Sequence, residues 1–203
     1  MSVLRRAQVL PAACLALALV AGCAVNHSDD FVSLAMTSQV GARPEPLTNV
    51  DVVVVGGQFG PTTTKGKFAP GTEMIANRQL GTLLPAVGAQ LPAVLQRNGI
   101  PARLLGPGGR PTADQVVTVK PQLAQEQVQG SYSVVGIQLL IEIRRRDGQL
   151  LWVGTSLERA SPSRADSMQW SDAMAEDLAR TLLIRLRREG LVKLGAGGDA
   201  DPV

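Results

Sequence analysis

The feature that most restricts what this chain can fold into is Asp147-Gly148, set between two β-type runs that together cover Ser131 to Leu157. An Asp-Gly pair flanked by apolar alternation is the strongest short hairpin signal, because the tightest hairpin turns need a left-handed backbone in the loop. With Asp147 and Gly148 as the loop residues, Arg146 pairs with Gln149. Counting outward then sets Ile143 against Trp152, Ile141 against Gly154 and Leu139 against Ser156. Successive strand side chains point to opposite faces, so this register gathers Val135, Ile137, Leu139, Ile141 and Ile143 on one face with Leu150 and Trp152. Gly154 and Ser156 on the same face leave room for a helix to pack close. The opposite face carries Gln138, Leu140, Glu142 and Arg144 against Leu151, Val153 and Thr155. That mixture fits either a binding face or one covered by the loops or the preceding spacer.

Other elements follow from periodicity. Four valines after Asp51, stopped by Gly56-Gly57, predict a strand over Val50 to Val55, covered on both faces at the centre of a sheet. Leu84, Val87, Leu91 and Leu95 recur at helical spacing and predict a helix from Leu80 to Asn98, stopped by Asn98-Gly99. Pro85 suits its first turn, whereas Pro92 should bend or split it. Short strands are expected at Ile100 to Leu105 and Val116 to Val119, with Pro121 marking the end of the second, a bulge or an edge. A second helix is predicted over Asp172 to Glu189, capped by Ser171 and closed by Gly190. Its apolar stripe is Trp170, Met174, Leu178, Leu182 and Leu186, broadened by Leu183. Strand, helix, strand, strand, hairpin, helix predicts an α/β two-layer sandwich, a mixed and mostly antiparallel sheet with two main helices packed on one face. Aromatic residues are only 3% of the chain, so its core must be aliphatic.

Between the first strand and helix, Gly56 to Asn77 is rich in Gly, Thr and Pro and lacks clear periodicity. A glycine-rich loop after a strand raises the phosphate-loop reading, but the spacing fails. Gly66-Lys67 would need glycine at Pro61 and a hydroxyl residue at Phe68. Long loops of this kind are often functional, which makes Lys65, Lys67 and Phe68 candidate partner contacts.

Upstream of all this, Arg5 and Arg6 precede an apolar run from Val9 to Val20, and small residues follow. The run is too short to cross a bilayer, which takes roughly 20 apolar residues, and has the build of a secretory signal. It ends in Leu19-Val20-Ala21-Gly22-Cys23, which resembles the lipobox of exported bacterial lipoproteins. The resemblance implies a diacylglycerol thioether on Cys23, cleavage after Gly22 and acylation, palmitate included, of the new N-terminus. Ala24, in place of Asp, implies release to the outer membrane, with the protein held by its lipid on the periplasmic face. The organisation expected is a signal peptide at 1–22, a lipidated N-terminus and spacer at 23–49, the sandwich at 50–190 and a disordered tail at 191–203. An edge strand around Phe31 to Met36 would fit within the spacer.

Lipidation also settles a chemical oddity, since Cys14 lies in the segment to be removed and Cys23 would otherwise be a lone exported thiol. The sole histidine, His27, sits in the spacer, so no His-centred triad, thiol nucleophile or Cys/His zinc site can be assembled within the sandwich. No cofactor is expected. Removing Arg5 and Arg6 brings the mature chain close to neutrality, which argues against nucleic acid as a partner. Local basic clusters remain at Arg144, Arg145 and Arg146, and at Arg185, Arg187 and Arg188. Strand alternation turns Arg145 away from Arg144 and Arg146, leaving the latter two as candidate contacts. The helix-end cluster is explained by the macrodipole alone.

In element order, the Trp152-containing strand and the final helix, the chain resembles small envelope lipoprotein domains: the TolB N-terminal domain, LptE-like assembly lipoproteins and auxiliary lipoproteins of lipid transport. The expected function is a non-catalytic accessory that binds an envelope protein through the Gly56 to Asn77 loop or the free sheet face. Its rivals are a carrier or sensor of a small apolar ligand and a hydrolase using Glu142, Glu158, Asp166 or Asp172, although Glu142 and Glu158 read more simply as solvated strand residues.

Overall fold

The computed structural model describes residues 34–40, 45–59, 64–65, 72–129, 132–160 and 168–193. In chain order these form β1 (Leu34–Val40), β2 (Val50–Val54), β3 (Thr64–Lys65), α1 (Thr72–Arg97), β4 (Ala102–Leu104), β5 (Gln115–Gln129), β6 (Tyr132–Arg145), β7 (Leu150–Ala160) and α2 (Met168–Arg188). The strands make one sheet in the order β1-β7-β6-β5-β2-β4, with β3 beside the far part of β5. Pairing is parallel for β2 with β4 and β5 and for β3 with β5, and antiparallel elsewhere. Both helices pack together and against one sheet face, so the α/β sandwich expected from the pattern is the architecture observed.

The hairpin keeps the expected register: Ile143 faces Trp152, Ile141 faces Gly154 and Leu139 faces Ser156. Its turn is different. Gly148 N–H donates to the Arg145 carbonyl at 2.8 Å, and Gly148 has φ +94°, so the loop is Arg146-Asp147-Gly148 with the glycine left-handed. The extra loop residue is absorbed by a bulge between Ile143 and Arg144, which pairs Arg144 with Leu150. One consequence reverses an expectation: past the bulge Leu151, not Leu150, is buried beside Trp152.

α1 begins eight residues before its expected start, so Pro85 and Pro92 both lie inside it. Each costs a backbone hydrogen bond. The packing of Ala76, Leu80, Leu83, Leu84, Val87, Leu91 and Leu95 in the core holds the helix together across them. Its end is as expected, with Gly99 at φ +76° and Ile100 N–H returning to the Leu95 carbonyl at 3.0 Å. α2 starts before Ser171, which therefore is not its cap; Ser171 is buried and its hydroxyl meets that of Thr82 on α1 at 2.8 Å. The Trp170 side chain lies outside the described residues, and the rest of the α2 stripe is buried.

β2 is not central, since only the three-residue β4 separates it from the sheet edge. β5 runs through Pro121 with a bulge between Pro121 and Leu123. Pro121 falls in the gap between β2 and β3, where Gly57 comes so close that an added Cβ would sit 2.9 Å from the proline ring. β1, drawn from the spacer, adds the opposite edge by pairing with β7. It joins the sheet rather than folding across its free face.

Candidate functional site

Alternation sorts the sheet into a closed and an open face. Helices cover Val117, Val119, Ile137, Leu139, Ile141, Ile143 and Trp152. The reverse face shows half-buried Val53, Val116, Thr118, Leu140, Val153, Thr155 and Leu157, with Glu142 bridging Lys120 at 3.5 Å and Arg144 at 3.6 Å. Neither α1 nor α2, the helices among the described residues, covers it.

At the turn end, a cleft of about 640 Å³ is lined by Glu45, Pro46, Thr48, Asp114, Gln115, Arg145, Arg146, Asp147 and Lys193. Gln115 forms its buried floor. Its side-chain oxygen accepts from the Thr48 N–H at 3.1 Å, and its amide donates to the Pro46 carbonyl at 3.1 Å. Arg145 bonds Glu45 and lies 3.7 Å from Asp147, while Arg146 donates through its backbone to Asp114 and through Nη1 to the Thr112 carbonyl. Charges of both signs therefore line the cleft, and Arg145 is engaged with two of the acids.

The candidate residues do not converge. Arg146 lines the cleft, whereas Arg144 donates to the Gly148 carbonyl and ion-pairs with Glu142 on the open face. Lys65 pairs through β3 with Gln125, ten β5 positions from Gln115 and so roughly 33 Å away along the strand. Cys23, His27, Lys67, Phe68 and Asp166 lie outside the described residues. Asp172 is exposed on α2.

Two buried strand carboxylates stand out. Asp51, 0% exposed, accepts from Arg103 Nε at 2.6 Å, Thr112 N–H at 2.7 Å and Ala113 N–H at 2.9 Å. The Arg103 bond chiefly holds its carboxyl down at about 2, against the opposing effect of burial. It ties β2, β4 and the turn before β5 into one corner.

Glu158 is the opposite case, and it corrects the reading of a solvated strand residue: it is 3% exposed, beneath α2. Its Oε1 and the neighbouring Ser156 hydroxyl have no hydrogen-bond partner among the described residues. Burial pushes the Glu158 carboxyl up to about 7, with Ser156 offsetting part of the rise and Asp177 of α2 adding to it. The signal was in the sequence. Glu158 shares strand parity with Trp152, Gly154 and Ser156, already assigned to the helix-facing side. Gln79 of α1 is also wholly buried with both amide ends unpartnered, and nothing in the fold accounts for it.

No protein-family model matches the chain, and no curated protein matches it significantly. Solved structures similar to it include a PelC dodecamer from Paraburkholderia phytofirmans, at 12% identity and TM-score 0.39, covering 71% of this chain and 93% of that one. The hypothetical protein CT253 from Chlamydia trachomatis aligns at 11% identity and TM-score 0.38, covering 73% and 99%. Lipoprotein GNA1162 from Neisseria meningitidis aligns at 14% identity and TM-score 0.30, covering 68% and 99%. Likeness this loose transfers no residue role to this chain.

Proposed function

We propose that the chain is an exported lipoprotein, anchored through Cys23 to the periplasmic face of the outer membrane, which binds an envelope protein and does not catalyse a reaction. The observation that carries this reading is the Leu19-to-Cys23 sequence, eleven positions before the edge strand β1. Fully extended, that stretch reaches roughly 40 Å, enough to stand the sandwich on the bilayer without a further linker. Two or more acyl chains would make the attachment stable where one would not. No helix among the described residues is long and apolar enough to cross a membrane, which is compatible with attachment by lipid.

Topology gives the tethered domain a direction. The start of β1 lies beside Leu157 and its end beside Trp152, so the tether enters at the sheet end opposite the Arg146-Asp147-Gly148 turn. The turn-end cleft then faces away from the lipid, and the open sheet face stands alongside. A protein partner engages that open face, whose aliphatic side chains are bordered by the Lys120–Glu142–Arg144 charges.

Feeding cells an alkynyl palmitate analogue tests the anchor. Wild type should take up label and sediment with membranes, while Cys23→Ser should do neither. Unlabelled wild type, or a labelled variant, contradicts the reading. A photo-crosslinking residue at Val153 on the open face should capture a discrete protein, whereas one at exposed Ile184 on α2 should not. The reverse pattern would move the contact off the sheet.

A further inference from the structure

We propose that Glu158 and Asp177 make the seating of α2 on the sheet depend on protonation: the helix keeps its place over the sheet while Glu158 carries its proton, and loosens when Glu158 ionises. The inference stands apart from the anchor and holds whether or not Cys23 is acylated.

Geometry carries it. Glu158 points to the helix side of β7, in the row formed by Trp152, Gly154 and Ser156, and has almost no contact with solvent. From α2 the charge that acts on it is Asp177, a second acid, itself raised by burial and moderated by Arg180. Arg180 is committed to Glu176 at 2.9 Å. From β6 the neighbouring core side chains are Val135, Ile137 and Leu139, none of them ionisable. On the other side, β1 contributes the sequence Leu34-Ala35-Met36-Thr37-Ser38, again without a charge. Among the described residues, Asp177 is the charged group that acts on Glu158, and it is of like sign. A buried carboxylate without a cation beside it is costly to ionise even where a hydroxyl offsets part of the cost, and a second carboxylate adds to it.

The direction with pH follows. In the unfolded chain Glu158 ionises near 4.5, whereas in the fold it holds its proton to about 7. Below 4.5 both states are protonated and the contact keeps its full stability. Between 4.5 and 7 the unfolded chain sheds the proton first, so stability falls as pH rises; above 7 the contribution is gone. α2 is tied to α1 by Ser171 to Thr82, by Arg97 to Glu176 at 3.4 Å on its solvent side, and by Arg187 to Asn98 at 2.7 Å. Asp177 takes no part in these ties and lies between the first and the last of them. Ionisation therefore loosens the middle of α2, where Ala175, Leu178, Ala179 and Leu182 face the core. The loosened layer is also the one that touches β1, the strand leading back toward the tether.

The test is thermal unfolding of the full chain at pH 5.5 and 8.5, with hydrogen–deuterium exchange corrected for the intrinsic pH effect. The midpoint of wild type should be lower at pH 8.5, by about 4–8 °C for a chain of this size. Exchange should rise in α2 and β7 while α1 and β2 stay protected. Glu158→Gln should lose most of that difference, and Asp177→Asn part of it. Should Glu158→Gln fail to fold, Glu158→Leu carries the same expectation. A wild-type midpoint unchanged between the two values, a Glu158 variant that keeps the full difference, or an exchange increase spread evenly over the sheet would each overturn the proposal.

Discussion

Asp51 and Glu158 are both strand carboxylates shut away from solvent, and the fold treats them in opposite ways. Around Asp51, at the parallel end of the sheet, an arginine and two backbone donors converge, and the charge is an asset. Around Glu158, under α2 at the antiparallel end, no cation or backbone donor converges, Oε1 is left without a partner, and the one charge that acts on it among the described residues is a second acid. Both side chains are closed to solvent, yet Glu158 lies deeper and its charge costs more, while Asp51 has donors that outweigh its burial. The parallel end gains from its charge, whereas Glu158 favours the α2 end while its charge is withheld.

The sharpest way to break this contrast is to delete each carboxyl and compare. Asp51→Ala strands two backbone donors and an arginine, and should cost about 3–4 kcal/mol in chemical denaturation at pH 7. Because Asp51 ionises at about 2 in the fold against an ordinary 3.8, its contribution is present above 3.8 and fades as pH falls through about 2. The variant should therefore lose the steep acid limb of wild type. A cost below 1 kcal/mol would mean that the corner is not held by this carboxylate.

Glu158 comes next. Its displacement from 4.5 to about 7 corresponds to about 3 kcal/mol of stability present at pH 4.5 and absent at pH 8. Glu158→Leu should consequently be more stable than wild type at pH 8, the opposite sign to Asp51→Ala. Smaller still is Ser171→Ala, which removes one hydroxyl pair between α1 and α2 and should cost about 1 kcal/mol. If Ser171 acted as a helix cap, Ser171→Asn would be tolerated; buried against Thr82, asparagine should be worse than alanine.

Much of this contrast was latent in the sequence. The hairpin register, read outward from Asp147-Gly148, held along Leu139, Ile141 and Ile143 because only one register buries that row. Its extension two residues past Ser156 would have placed Glu158 under the helix, had alternation been followed to the end of the strand. The turn itself was not legible: a two-residue and a three-residue loop both suit Asp-Gly, and the bulge that distinguishes them exchanges Leu150 for Leu151 in the core. Asp51 gave no signal beyond starting a valine run, since Arg103, Thr112 and Ala113 reach it only through the parallel pairing of β2 with β4 and β5. The first turns of α1 were missed because Gln79 occupies a buried position and interrupts the apolar stripe. β5 beyond Pro121 was missed because its Gln-rich sequence gains strand structure from β6 rather than from local preference. Of the candidate contacts, the loop group around Lys65 and the turn group at Arg144 and Arg146 belong to distant parts of the sheet, a separation no spacing rule could reveal.

Carboxyl carbon NMR on the labelled full chain, titrated from pH 2.5 to 8.5, reads both acids in one experiment. The account expects Asp51 to stay ionised to the acid limit, near 2, and Glu158 to titrate near 7. Two ordinary transitions near 4 would contradict it, leaving the two ends of the sheet electrostatically alike.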